Sequence, residues 1–365
     1  MAHAARTRFI RLVVALGVLA SLLAVASAAQ ANAGGNVYRQ TNLVSDIAGV
    51  ARLTDRNLVN PWGVAAGPTT PLWVADNGSD VATIYPGAVK GSPPAIAPLV
   101  VDIPGGAPTG QVYNGTDGFV VHSGSASGPA RFIFDSEAGT ITGWSPAVPP
   151  PAPSTQAQPA ASVPDAIFKG LAIASNRQGT FLYAADFHHA TIDVFDSGFN
   201  LVHLAGSFDP HGIPDGFAPF NVQELGGRLY VAYAMQDADK EDEVAGAGLG
   251  FVNVFDTSGH FLRRLAARGA LNAPWGLAIA PKGFGRFSRD LLVGNFGDGR
   301  ISAYDLRSGK FRGQLKNEDG RPIEIDGLWA LRFGNGVTGS PTDLLFTAGI
   351  ADEAHGLFGS IRAVH

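Results

Sequence analysis

Two short stretches of this chain set imidazole beside carboxylate, Asp186-Phe187-His188-His189 and Asp352-Glu353-Ala354-His355. Imidazole titrates near neutrality, so a neighbouring carboxylate can orient it as a base or as a metal ligand. Asp186, His188, Glu353 and His355 are therefore candidate ligand-binding residues. Adjacent His188 and His189 cannot easily both point at one centre, and a surface His near an acid is more often incidental. A second set is spread along the chain. Asn60, Asp117, Asn221, Asn272 and Asp326 each stand at or near the start of an apolar strand, and Lys169 takes the corresponding place in another. Oxygen donors of this kind suit a hard cation. Asp117, Asn221, Asn272 and Asp326 are thus candidate metal ligands, and the cofactor they would serve is a divalent cation, calcium in the first instance. The competing reading is structural, because Asn and Asp also cap turns and satisfy backbone amides where strands begin. Asp76, Asp135, Asn295 and Asp298 fall in turns where that plainer reading is the stronger one.

These residues need elements to bring them together. Six hairpins recur, at residues 72–85, 131–144, 182–195, 229–255, 291–304 and 344–361, each an apolar strand, a polar turn and a second apolar strand. Their spacing of roughly 50 residues is that of β-propeller blades. A third apolar strand precedes each hairpin: Pro61-Trp62-Gly63-Val64, Gly118-Phe119-Val120-Val121, Gly170-Leu171-Ala172-Ile173, Phe220-Asn221-Val222, Pro274-Trp275-Gly276-Leu277 and Gly327-Leu328-Trp329-Ala330. Small residues suit an inner strand near the axis, and the Trp and Phe rings are expected in the wedges between blades. Outer strands follow most hairpins, that of the second blade being expected at residues 161–167. The last hairpin has none, and residues 37–44 form a spare strand. The expected fold is all-β, a six-bladed β-propeller whose ring is closed by the N-terminal strand completing the last blade. In that fold the starts of the inner strands share one face with the hairpin turns, so both sets of polar residues converge at the mouth of the central channel.

Composition agrees. The chain has 365 residues with 47 Gly and 24 Pro, only 16% charged residues and a formal charge of -5. An acidic protein argues against nucleic acid and anionic membrane as partners. There is no Cys, which excludes disulfides, thiol catalysis and Cys-based zinc sites. Residues 1–28 read as a signal peptide: Arg6, Arg8 and Arg11, an apolar run over 12–25, then the small-x-small site Ala26-Ser27-Ala28. The mature domain is expected over 37–365, with no membrane span after cleavage and an exported location, periplasmic or extracellular in a bacterium. Residues 147–160 are a Pro/Ala-rich surface loop within it. Residues 236–249 are an acidic and Gly-rich insertion whose alternating acids depart from an EF-hand loop at Asp242, where glycine is required.

The Trp275-Gly276-Leu277-Ala278-Ile279 strand resembles those of six-bladed propellers of the NHL, YWTD and SMP-30/gluconolactonase type. A closer resemblance is to a family of exported bacterial proteins with no settled activity. It is carried by Asn60-Pro61-Trp62-Gly63, Gly294-Asn295-Phe296-Gly297-Asp298-Gly299, Asp326-Gly327-Leu328-Trp329 and Thr347-Ala348-Gly349-Ile350-Ala351-Asp352-Glu353. The SMP-30 likeness implies a divalent cation at the channel mouth held by Glu, Asn and Asp, although no matching Glu is evident.

No catalytic template is complete. Gly124-Ser125-Ala126-Ser127-Gly128 has Ala where a nucleophile elbow needs Ser, and neither a P-loop nor His-Glu-x-x-His occurs. The expected function is therefore binding rather than catalysis, of a small ligand, cation or protein partner at the top face, by a monomer. The alternatives are a divalent-cation-dependent hydrolase (lactonase-like) or lyase, and a structural extracellular interaction module. Elemental analysis, lactone turnover and partner capture separate the three.

Overall fold

The computed structural model describes residues 37–89 and 91–364; the signal-peptide expectation for residues 1–28 lies outside them. The recurring hairpins form the second and third strands of six antiparallel sheets. Their inner strands are Pro61–Ala65, Pro108–Tyr113, Phe168–Asn176, Phe217–Glu224, Pro274–Ile279 and Leu328–Phe333. Each contacts the inner strand of the next blade, and the last contacts the first. The chain is thus a closed six-bladed β-propeller, and Tyr38–Ser45 completes the sixth blade by pairing antiparallel with His355–Ala363.

Blade packing follows from strand periodicity. Each strand lies between two neighbouring sheets, so both its faces are apolar. A buried cluster fills each of the six wedges: Trp73, Phe132 and Phe134 between blades one and two, for example, and Leu292, Leu328 and Phe346 between blades five and six. The tryptophans of the inner strands go elsewhere than expected. Trp62, Trp275 and Trp329 gather with Phe187 and Phe220 in one cluster drawn from five blades, which plugs the channel on its axis. Trp62 stacks on Trp329 with ring centroids 3.5 Å apart, and Phe296 stacks on the same indole at 4.2 Å. Side chains at these positions point to the axis, where no neighbouring sheet competes for the space.

The second blade corrects the sequence reading. Its inner strand is Pro108–Tyr113, while Val120–Ser123 and Ala126–Pro129 form a separate small hairpin, and its outer strand is Gln158–Ser162 rather than 161–167. Hydrophobicity favoured the Phe119-Val120-Val121 run, but the axis selects for slimness. A Cβ on Gly110 would lie 2.1 Å from the backbone nitrogen of Leu171 in the next blade, so only glycine permits this approach. Among the described residues no helix is long and apolar enough to cross a membrane.

Candidate functional site

On the face where the inner strands begin, polar side chains meet above the aromatic plug. Lys169, the second residue of blade three's inner strand, is their centre. Its side chain is 1% exposed, and its ammonium donates to Glu137 Oε1 at 2.6 Å and to Asp242 Oδ1 at 3.1 Å. The same Nζ stands 5.2 Å from the Trp62 ring centroid, which adds cation–π attraction. Glu137 sits in the turn between Phe132–Ser136 and Thr140–Trp144 of blade two. Asp242 and Glu243 arrive from the blade-four insertion, which folds back as the short strand Glu243–Val244 against the end of Leu229–Gln236.

The hydrogen bonds continue round the mouth. Asn77 Nδ2 donates to Glu137 Oε2 at 3.0 Å, and Asn60 Nδ2 donates to Asn77 Oδ1 at 3.2 Å and to Glu353 Oε2 at 2.6 Å. Trp329 Nε1 donates to Asn60 Oδ1 at 3.1 Å, so the plug fixes which way this amide turns. A single network therefore runs Asp242, Lys169, Glu137, Asn77, Asn60, Glu353, drawing on five of the six blades.

One ammonium lies among four carboxylates, and their acidities reflect it. Burial pushes the Glu243 carboxyl up to about 8, against the pull of Lys169 and with added repulsion from Glu353 and Asp242. Glu353 is raised as well, by burial first, against its hydrogen bond from Asn60. Burial alone would lower Lys169, but Glu137, Asp242 and Glu243 outweigh it and hold the ammonium above its ordinary value.

Of the residues singled out in the sequence, Asn60 and Glu353 stand in this network, joined to Lys169. The others are placed as follows. Asp117 is 97% exposed beside Arg131 in the loop after Pro108–Tyr113, at the opposite end of the ring. It was drawn to the mouth only by the misplaced inner strand. Asn221 donates to Trp275 O at 2.8 Å and faces the lower half of the channel. Asn272 Oδ1 accepts from Gly246 N at 2.6 Å, and Asp326 Oδ2 accepts from Ala351 N at 2.8 Å; both cap backbone amides. Asp186 is buried and pairs with His189, at 2.7 Å, rather than with His188. The half-buried His188 has a buried, unpartnered Nδ1. His355 Nδ1 lies 2.6 Å from Asp46 Oδ2, a partner just past the end of the N-terminal strand. Glu137, Asn77, Asp242 and Glu243 were missed as site residues. The available signal was Lys169, a cation in an apolar inner strand at the position where blades one, five and six carry Trp62, Trp275 and Trp329.

The donor set does not fit a divalent cation. Lys169 already supplies the positive charge between Glu137 and Asp242, and Asn60 spends its oxygen on Trp329. The four residues expected as ligands, Asp117, Asn221, Asn272 and Asp326, do not converge. Among the described residues no group of three His, Cys, Asp or Glu side chains could hold a metal ion. What the arrangement offers is an acidic, water-facing mouth over an aromatic floor, with exposed Asp242 oxygens and a Glu243 carboxyl pushed up to about 8 by burial.

No protein-family model matches the chain. Among solved structures, the soluble aldose sugar dehydrogenase of Escherichia coli superposes with a TM-score of 0.52 at 12% identity, covering 90% of this chain and 100% of that one. Virginiamycin B lyase from Staphylococcus aureus gives 0.49 at 11% identity, covering 90% and 99%. At 12% identity the likeness to the dehydrogenase shows the fold alone. Sequence relatives are nearer. One uncharacterized protein of Acanthamoeba polyphaga mimivirus is 35% identical over 329 residues, 87% of this chain and 78% of that protein. Another from the same virus is 32% identical over 334 residues, 89% and 85% of the two chains. These relatives are viral, which corrects the purely bacterial family expected from the sequence. The chain belongs to the same family of six-bladed β-propellers as these two mimivirus proteins.

Proposed function

We propose that this is an exported binding protein whose top-face channel mouth holds a small organic cation. The observation that carries the reading is the surplus of carboxylate around Lys169. Glu137 and Asp242 already outnumber its single charge, and Glu353 adds an acid group beyond them. An incoming ammonium would find the Asp242 and Glu353 carboxyl oxygens as acceptors, and the Trp62–Trp329 stack would keep the floor from yielding. Because the network is already hydrogen-bonded, little ordering is left to be done on binding. Export rests on the Arg6, Arg8 and Arg11 cluster, the apolar run and the Ala26-Ser27-Ala28 site.

Titration calorimetry with putrescine against uncharged butanediol tests the binding. Putrescine should bind, weaken with salt, and lose about tenfold or more in affinity in Asp242→Asn and Glu353→Gln. Equal affinity for the diol, or indifference to both substitutions, would refute the reading. N-terminal sequencing of secreted material should begin at Ala29.

A second reading, acid–base catalysis, is favoured by one observation. Glu243 stays protonated near neutrality while Asp242 beside it is largely exposed, and a separated pair of this kind suits proton donation. Turnover of an ester or lactone, lost in Glu243→Gln, would support it over binding alone.

A further inference from the structure

Beneath the aromatic plug the channel opens into a second cavity of about 410 Å³. It lies among the far ends of the inner strands, with Trp275 as part of its roof, and shares no side chain with the Lys169 network. Its walls are mostly apolar: Val64, Leu171, Leu277, Ile279, Leu331 and Phe333. Such a volume and lining fall within the range of small-molecule sites, about 300–1,000 Å³.

Two polar groups in this lining lack what burial demands. Gln111 is 5% exposed, yet neither its Oε1 nor its Nε2 has a partner among the described residues. A buried amide left so is costly, and it stands in the wall of an open cavity rather than in packed core. Arg332, also in the wall, gives one guanidinium nitrogen to Ala66 O at 3.0 Å, and no carboxylate among the described residues lies within ion-pair distance of it. Burial draws its guanidinium below the ordinary value. Of the other polar lining, Asn221 donates to Trp275 O, Glu224 accepts from Gly227 N at 2.6 Å, and Gln223 is half-buried at the rim.

We infer that this lower cavity is a binding site for a small apolar monocarboxylate, its carboxylate paired with Arg332 and hydrogen-bonded by Gln111. A guanidinium fork matches a carboxylate in geometry. A doubly charged phosphate fits poorly, because one partly committed guanidinium and one amide cannot replace its hydration. The remainder of the ligand would be aliphatic or aromatic, covering Leu277, Leu331 and Phe333. The site is independent of the top-face reading and stands or falls without it.

The test uses octanoate and phenylacetate, with octanol and octylamine as controls, followed by titration calorimetry on the mature chain. The acids should bind and the controls should bind at least about tenfold more weakly. Arg332→Gln should weaken octanoate by a similar factor, and Arg332→Lys by less. Gln111→Leu carries the sharpest expectation: octanoate affinity falls while the ligand-free melting temperature rises, since an orphaned amide is removed. Leu225→Trp, at the cavity wall, should block binding if the arginine variant fails to fold. Octylamine binding as well as octanoate, acids that fail to bind at millimolar concentration, or affinity unchanged in both Gln111→Leu and Leu225→Trp would overturn the assignment.

Discussion

Lys169 donates to Glu137 across 2.6 Å, so that a nearly inaccessible ammonium of blade three is held by the hairpin turn of blade two. This pair occupies the position where a bound ion would otherwise neutralise the converging acids. Replacing Lys169 by Ala should cost about 1–3 kcal/mol at neutral pH, because Glu137, Asp242, Glu243 and Glu353 are left facing one another. It should also create a demand for an external cation. The melting temperature of Lys169→Ala is expected to climb with added calcium or magnesium while that of the parent stays flat. A parent protein that loses stability to chelator would contradict this account.

Acid should stabilise the fold. Glu243 is raised from 4.5 to about 8, and Asp135, wholly buried against Thr109 and Gly110, is raised from 3.8 to about 7; burial is the leading cause of both. Both groups bind a proton more tightly folded than unfolded. Their contribution is therefore fully present below the ordinary carboxylate values and is lost progressively from there as pH climbs through about 7 for Asp135 and about 8 for Glu243. Thermal melts across that window should show a falling melting temperature. Glu243→Gln should flatten part of the slope, and an unchanged slope would remove Glu243 from the account.

Trp329 joins the plug to the site, stacking on Trp62 and donating to Asn60. Trp329→Ala should destabilise by about 3–5 kcal/mol through the cavity it leaves. Trp329→Phe should cost less in urea denaturation but still release the Asn60 amide, weakening any ligand that relies on Glu353. If the Phe variant binds putrescine as the parent does, the orienting role of the indole is wrong.

Gly110 tests the position of the second inner strand. Its Cβ would meet the backbone of Leu171, whereas Gly124, on the separate hairpin, has open space around it. Gly110→Ala should cost about 3 kcal/mol by overpacking. Gly124 has a positive φ, so its replacement by Ala should cost only about 1 kcal/mol. Denaturant midpoints for the two variants give the comparison.

The hairpins were legible because strand, turn and strand repeat with apolar residues that must fill wedges on both faces. Closure by the N-terminal strand was legible because the last hairpin lacked an outer partner. The inner strand of blade two was not, since Pro108–Tyr113 carries Thr109 and Gln111 where most other blades carry apolar residues, Lys169 of blade three apart, and close packing at the axis leaves no hydrophobic signal. Misplacing it moved Asp117 from one end of the ring to the other. The acids of the site were obscure for a different reason. Glu137 looked like an ordinary turn residue, and Asp242 and Glu243 looked like a solvated run, because nothing local announces that an insertion bends back over the axis. Asn60 and Glu353 were found, but their link through Asn77 to Lys169 depends on tertiary geometry alone.

The strand Tyr38–Ser45 pairs along most of its length with His355–Ala363, touching the nearby Leu53–Thr54 only through its last two residues, and Asp46 finds His355 beside it. During synthesis the greater part of this strand must therefore wait without its antiparallel mate until more than three hundred later residues have emerged. Blades one to five can assemble in turn from neighbours, but the circle cannot shut before its final hairpin arrives. A chain halted short of that point carries two unsatisfied β edges, one at each end, and offers them to any other chain halted in the same way.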